Sequence, residues 1–309
     1  MTLWNRIKEA YIREVSYRID KVINTLIWLL SSKNDVLVLN VWLKHRGKKV
    51  RRINLGDDLN YYIASSLSGK KVISYMHSYI KFFKPINYMC IGSIVDTIGN
   101  ENSIIWGSGA LRGDKIYNYK KPLQVLAVRG PLTRDFLLLH GVSCPEVYGD
   151  PALLLPRLYK VDNRETKYKI GVIPHYIDLC NEKILGLNKQ FENEIVIINF
   201  KQYNSWQDVI KLINQCQVIA SSSLHGIIIS DAYGIPNVWI KLSDNVKGEG
   251  FKFVDYLSSC GRTQSCPIDF TNENINFDKI LEAVKDYKKP HFNLDILLDH
   301  CPFKENTQL

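Results

Sequence analysis

The run 217-QVIASSSLHGIIISDAYGIPNVWI-240 sets one histidine, His225, between three serines and a long apolar segment. Val218, Ile219 and Ala220 have the pattern of a buried strand. Ser221, Ser222 and Ser223 supply cap-type side chains, and from Leu224 the spacing is helical as far as Gly234, before Pro236. A strand–serine–helix junction aims free backbone N–H groups and the positive end of a helix dipole at one point, which suits an anion. An imidazole in the first turn would face the same anion. The helix end lowers its pKa and a bound phosphate raises it, the balance a proton donor needs near neutrality. The plain alternative is a histidine hydrogen-bonded inside a packed helix start.

Other residues of chemical type fall at the ends of apolar runs. In 127-AVRGPLTRDFLLLHGV-142, Arg129 closes a strand and Gly130-Pro131 open a helix. A guanidinium there forks onto a carboxylate or phosphate, or else makes a salt bridge. His175 ends the strand of 172-VIPHY-176. Gly107-Ser108-Gly109 is a tight turn that lets backbone approach a ligand. In 53-INLGDDLNYYI-63, Asn54, Gly56 and Asp57 open a helix, with Asp57 a cap or a base. Asp150, in 149-GDPALLLP-156, is a turn former first and a catalytic candidate second. The chain has no Walker loop, G-x-G-x-x-G, H-E-x-x-H, G-x-S-x-G or Asp-x-Asp, so nothing in it calls for a metal or a bound cofactor.

The elements that must position these residues alternate. Strand-like runs at 35–43, 86–92, 103–109 and 123–130 precede a helix at about 131–141 and a short strand near 144–148. A polar stretch, 159–167, reads as a linker, after which strands fit 168–176, 194–200, 217–221 and 236–240. Helices fit near 205–215, 224–233 and 276–287. Buried strands alternating with helices make parallel sheets. The expected organisation is an amphipathic helix over 1–33, a Rossmann-like acceptor-side domain over 34–158, a Rossmann-like donor-binding domain over 168–290, and a tail over 291–309. In open sheets ligands bind beyond the carboxyl ends of the strands, where these motifs fall.

The 309 residues, 46% hydrophobic, suffice for a large core. A formal charge of +9 favours a phosphorylated metabolite or an acidic bilayer. No zinc finger, aromatic RNA-binding signature or basic helix supports nucleic acid. Seven scattered cysteines without Cys-x-x-Cys read as reduced residues of a cytoplasmic protein. Ile7, Tyr11, Val15, Ile19, Val22, Leu26 and Leu29 recur at helical spacing, which predicts a packed amphipathic helix, with docking at the inner face of the membrane as the second reading. Its wholly apolar end, 22–30, is too short to span a bilayer.

Taken in order, N-x-G-D, G-S-G, V-R-G with its helix, G-D-P-A, I-P-H-Y and S-x-L-H-G…G-I-P resemble the polysaccharide pyruvyl transferases, over about residues 50–260. The resemblance implies a GT-B-like α/β fold of two doubly wound Rossmann-type domains facing across a cleft. It implies transfer of an enolpyruvyl unit from phosphoenolpyruvate, as co-substrate, to a sugar. That sugar is galactose-type for preference, on a polyprenyl-diphosphate-linked oligosaccharide of capsule or exopolysaccharide synthesis. His225 then matches a histidine placed with the donor and proposed as its acid. Arg129 and either Lys247 or Lys252 match donor-binding cations, and Asp57, Asp150 or His175 would serve as base. The family often has Arg-Leu-His where this chain has Ser223-Leu224-His225. Two other readings fit the same plan: a nucleotide-sugar glycosyltransferase and a non-catalytic scaffold of a glycan-assembly complex.

Overall fold

The computed structural model describes residues 3–114, 120–162, 164–190, 194–248, 250–262, 264–285 and 287–305. Parts of the expected segments, namely 1–2, 115–119, 163, 191–193, 249, 263, 286 and 306–309, lie outside the described residues.

Along the chain come α1 (Leu3–Leu30), β1 (Val36–Leu39), a hairpin of β2 (His45–Arg46) and β3 (Lys49–Val50), α2 (Leu55–Ser68) and β4 (Lys71–Ser74). β5 (Asn87–Met89), α3 (Val95–Ile98), β6 (Ser103–Trp106), β7 (Gln124–Ala127), α4 (Pro131–Leu139) and α5 (Leu155–Leu158) follow. The second half holds β8 (Tyr168–Ile173), α6 (Glu182–Gln190), β9 (Ile195–Ile197), α7 (Trp206–Asn214), β10 (Cys216–Ser221) and α8 (Leu224–Ala232). It ends with β11 (Asn237–Lys241), α9 (Phe251–Ser259), β12 (Ile268–Asp269), α10 (Phe277–Ala283) and α11 (Leu294–Asp299).

Two five-stranded sheets result, ordered β4-β1-β5-β6-β7 and β9-β8-β10-β11-β12. Every pairing in them is parallel. Numbered within each half, both orders are 2-1-3-4-5, so each sheet reverses direction between its first and third strands. Side chains beyond the carboxyl ends of that pair are not crossed by a connection, and a ligand can enter there. The architecture is therefore α/β with Rossmann-like parallel sheets. The short strand expected near 144–148 is only a single bridge between Val128 and Tyr148. β4 and β12 lack a long apolar run and are not expected from the sequence.

The halves share one buried apolar cluster. Leu55 N–H donates to the Phe200 carbonyl at 2.8 Å, and Tyr203 Oη donates to Asp58 at 2.6 Å. Trp206 lies against Tyr62 and Tyr159. After α10 the chain returns to the first sheet, where Trp106 Nε1 donates to the Leu297 carbonyl at 2.8 Å and Phe303 meets Trp106 and Tyr88 edge-on.

α1 packs with the opposite face from the one its apolar spacing predicts. Ile7, Tyr11, Val15, Ile19, Val22, Leu26 and Leu29 are all exposed, whereas Asp20 and Asn24 are buried. Asp20 pairs with Arg46 and, at 2.8 Å, with Arg51. Asn24 Nδ2 donates to the carbonyls of His45 (2.7 Å) and His77 (3.0 Å), and its Oδ1 accepts from Gly47 N–H. His45 and His77 are linked to this knot by their own backbone and ring bonds, His45 N–H to His77 Nδ1 and Ser74 N–H to His45 Nε2, both 2.9 Å. Burial holds both rings down at about 4, so they are neutral acceptors near neutral pH. A polar side that satisfies so many backbone groups outweighs an apolar stripe left in water. Asn24→Ala strands three of those groups and should lower Tm by about 4–8 °C. Leu26→Gln, on the outer face, should leave it within about 1 °C in the same thermal melt.

Candidate active site

A cavity of about 140 Å³ lies between the two switch points. From the first half it is walled by Trp42 beyond β1, Asn54 and Asp57 at the start of α2, and Gly92, Ser93 and Ile94 beyond β5. From the second come His175 and Tyr176 beyond β8, Ser223, Leu224 and His225 at the start of α8, and Lys252 on α9. A wider hollow of about 240 Å³ continues outward past Thr97, Leu111 and Lys247, sharing Trp42, Ser93, His175, Tyr176 and Lys252. A larger hollow, about 950 Å³ beside α6 and α10, opens at the amino ends of β8 and β9 and has no histidine among its lining residues.

The imidazole of His225 is pressed against Gly56, where any Cβ would overlap the ring. Its Nε2 is buried and has no hydrogen-bond partner. Burial, then the positive charges of Lys252 and Arg129 and the neighbouring His175, push its pKa down to about 3. His175 is pushed to about 3 as well, by burial and Lys252. Lys252 falls to about 8, through burial and Arg129, with Asp57 opposing. Asp57 rises to about 7 because burial and nearby Asp58 outweigh the Asn54 Nδ2 bond (2.9 Å) and Lys252. Each shift has burial as its largest cause, and Lys252, the one lysine or arginine among the described residues of the cavity wall, faces an Asp57 that burial holds near half-protonation at neutral pH.

Arg129 is fully enclosed and does not wall the cavity. Its Nε and Nη2 both lie 2.9 Å from Asp255 Oδ2, Nη1 donates to Ser93 Oγ at 2.6 Å, and Nη2 donates to the Ala110 carbonyl at 2.7 Å. Asp255 also accepts from Thr133 N–H and Oγ1. The arginine is thus a bolt between the end of β7 and α9, with its charge felt through the wall. Gly109 leaves room for its guanidinium, and Gly130 for the α9 backbone. Asp255 is absent from the sequence reading, since nothing local to it marks a partner 126 residues away.

Several other predicted residues also lie outside the cavity wall. Ser221 Oγ donates to the carbonyls of Ile173 and Ser223 and accepts Ser223 N–H, and Ser222 Oγ accepts His175 N–H at 2.8 Å. Both hydroxyls lace β8 to β10; only Ser223 lines the cavity. Ser108 Oγ donates to the Cys90 carbonyl, and Gly107 packs on Pro151. Asp150 caps the turn that follows it, accepting Ala152 N–H at 2.9 Å, and burial lifts it to about 7. Lys247 lines only the outer hollow, whereas Lys252 lines both. Trp42, Ser93 and Tyr176 are wall residues not singled out from the sequence, although Trp42 lies inside the apolar run 35–43 and Tyr176 closes I-P-H-Y.

A family model described as polysaccharide pyruvyl transferase matches residues 4–244. The chain belongs to the polysaccharide pyruvyl transferase family. It is 32% identical, over 69% of its own length and 72% of the relative's, to an uncharacterized protein of Acanthamoeba polyphaga mimivirus. It is 28% identical, over 46% of its length and 42% of the relative's, to the succinoglycan biosynthesis protein ExoV of Rhizobium meliloti. This pyruvyl transferase family member therefore presents its shared segment with both switch points and the start of α8 inside it. Arg129→Leu should cost about 3–5 kcal/mol by leaving Asp255 buried and unpaired. In urea denaturation the Arg129→Leu/Asp255→Leu pair should lose much less than the sum of the single variants.

Proposed function

We propose that the protein moves the enolpyruvyl unit of phosphoenolpyruvate onto two hydroxyls of a sugar, forming a pyruvate ketal and releasing phosphate. The halves then form a GT-B-like pair, and the acceptor is a galactose-type residue of a polyprenyl-diphosphate-linked oligosaccharide in capsule or exopolysaccharide synthesis. Such an acceptor would be met at the inner face of the cytoplasmic membrane. The observation that carries the reading is the inner cavity itself: small, and set with Lys252, an unpartnered His225 Nε2 and the first turn of α8. Phosphoenolpyruvate brings close to three negative charges, which supply what these groups lack.

The dianionic phosphate offsets the burial and, after it, the repulsion from Lys252 and Arg129 that depress His225, so donor binding draws a proton onto the imidazole. That proton passes to the methylene carbon, leaving C2 electrophilic. One sugar hydroxyl adds to C2, the C2–O bond to phosphate breaks, and the second hydroxyl closes the ring. Of the two hydroxyl protons, one restores His225 and the other, taken by Asp57, the carboxylate facing it from the first half, passes to the departing phosphate, which leaves as hydrogen phosphate. His225→Gln should keep its fold and lose about 10²–10⁴-fold in phosphate release from phosphoenolpyruvate with acceptor; unimpaired kcat removes it from the mechanism.

Signs follow from the free enzyme. Asp57 must be ionised to act as base, and Lys252 must be charged to hold the donor. Since His225 is neutral in the free enzyme and must gain a proton, kcat/KM should level off below about pH 7, where loss of the Asp57 base offsets the readier protonation of His225. It should fall in two limbs, above about pH 7 and more steeply above about pH 8 as Lys252 loses its charge. Lys252→Arg should carry the alkaline limb upward, and a profile flat across both limbs contradicts these roles.

Trp42 and Tyr176, 53% and 48% exposed, flank the passage from the inner to the outer hollow. Aromatic faces of this kind stack on the C–H face of a sugar. Trp42→Ala should raise acceptor KM about tenfold, corresponding to about 1.4 kcal/mol, with donor binding unaltered by calorimetry.

A further inference from the structure

α1 turns ten large apolar side chains to solvent: Trp4, Ile7, Tyr11, Ile12, Val15, Ile19, Val22, Leu26, Leu29 and Leu30. At 100° per residue these fall within a sector of about 140° along a rod of about 42 Å. A stripe of that length is far beyond the scattered apolar residues of an ordinary surface. Beside its C-terminal end Phe83 packs on Trp28, and Phe82 and Phe83 are themselves exposed.

Charge identifies what covers it. Twelve Lys and Arg stand against four Asp and Glu in residues 1–52, so this segment holds eight of the chain's nine net positive charges. Lys44, Lys48 and Lys49 are exposed on and beside the β2–β3 hairpin, which packs on the inner side of α1. Lys81 and Lys84 flank the exposed phenylalanines, and Glu14 is paired with Arg18 at 2.9 Å. A second copy of so basic a segment would bring like charge to like charge. Among the described residues no helix is long and apolar enough to cross a membrane.

We propose that the outer face of α1, with Phe82 and Phe83, lies flat in the headgroup region of an anionic bilayer while the Asp20–Asn24 face stays bolted to the protein. The inference rests on α1 and its neighbours alone and stands whatever reaction the cavity performs.

Flotation of the full chain with vesicles tests it. With phosphatidylcholine containing about a third phosphatidylglycerol, the protein is expected to rise, and with phosphatidylcholine alone to rise at least about tenfold less. The variant Ile7→Gln/Val15→Gln/Val22→Gln/Leu26→Gln alters only exposed positions. It should keep the wild-type circular dichroism and lose roughly tenfold or more of the binding. Failure of the wild type to float, equal flotation of the variant, or indifference to anionic lipid would each overturn the proposal. So would a dimer in light scattering that the same four substitutions dissociate.

Discussion

The buried pair of Arg129 and Asp255 is the constraint on which the cavity depends. An arginine fully removed from water is tolerable only because a carboxylate, a serine hydroxyl and a carbonyl take its donors. Asp255 sits on α9 between two further residues that this helix aims elsewhere. Lys252, three residues earlier, reaches the cavity, and Tyr256, one residue later, donates to buried Asp231 on α8 at 2.9 Å. Asp231 is also bound by Asn237, Arg262 and Tyr287, so the C-terminal end of α8 is fixed from several sides. One nine-residue helix thereby ties the last strand of the first sheet to the helix that carries His225. The site is assembled by the packing between halves rather than contained in either.

That assembly explains why the titrating groups are displaced from their ordinary ranges in a consistent sense. Arg129 already has its counter-ion, yet its charge still acts on His225 and Lys252 through a thin, dry wall. Asp57 is the carboxylate opposite, and burial leaves it close to half-protonated near neutrality. With Asp57 near half-protonation, the cavity wall is short of negative charge. Preorganised cations without a full partner are worth most to an anion that arrives carrying its own charge.

Much of this was legible in the sequence, and the remainder failed for physical reasons. Alternation of strands with helices was enough to find the two parallel sheets, and strand ends located Arg129, His175 and His225. What each side chain does there depends on partners far along the chain. Arg129 stood open between an anion fork and a salt bridge because Asp255 is remote, and the local sequence did not show that Ser221 and Ser222 have backbone partners on β8 and just beyond it, the Ile173 carbonyl and the His175 N–H. The α1 stripe shows a different failure. Periodicity finds an apolar face but not which face is buried, and Asn24 with three backbone partners decided the matter. Lys247 and Lys252 were indistinguishable by motif; only the helical start at Phe251 turns the second inward.

The central claim is that a small, highly charged donor lodges beside His225 and draws a proton onto its ring. Imidazole ¹⁵N NMR on the whole protein near pH 7, with and without phosphoenolpyruvate, tests it most directly. The His225 ring should be neutral in the free protein and become doubly protonated as the donor saturates, with Lys252→Met abolishing the change. A ring that stays neutral at saturation, or one already protonated in the free protein, would contradict the account.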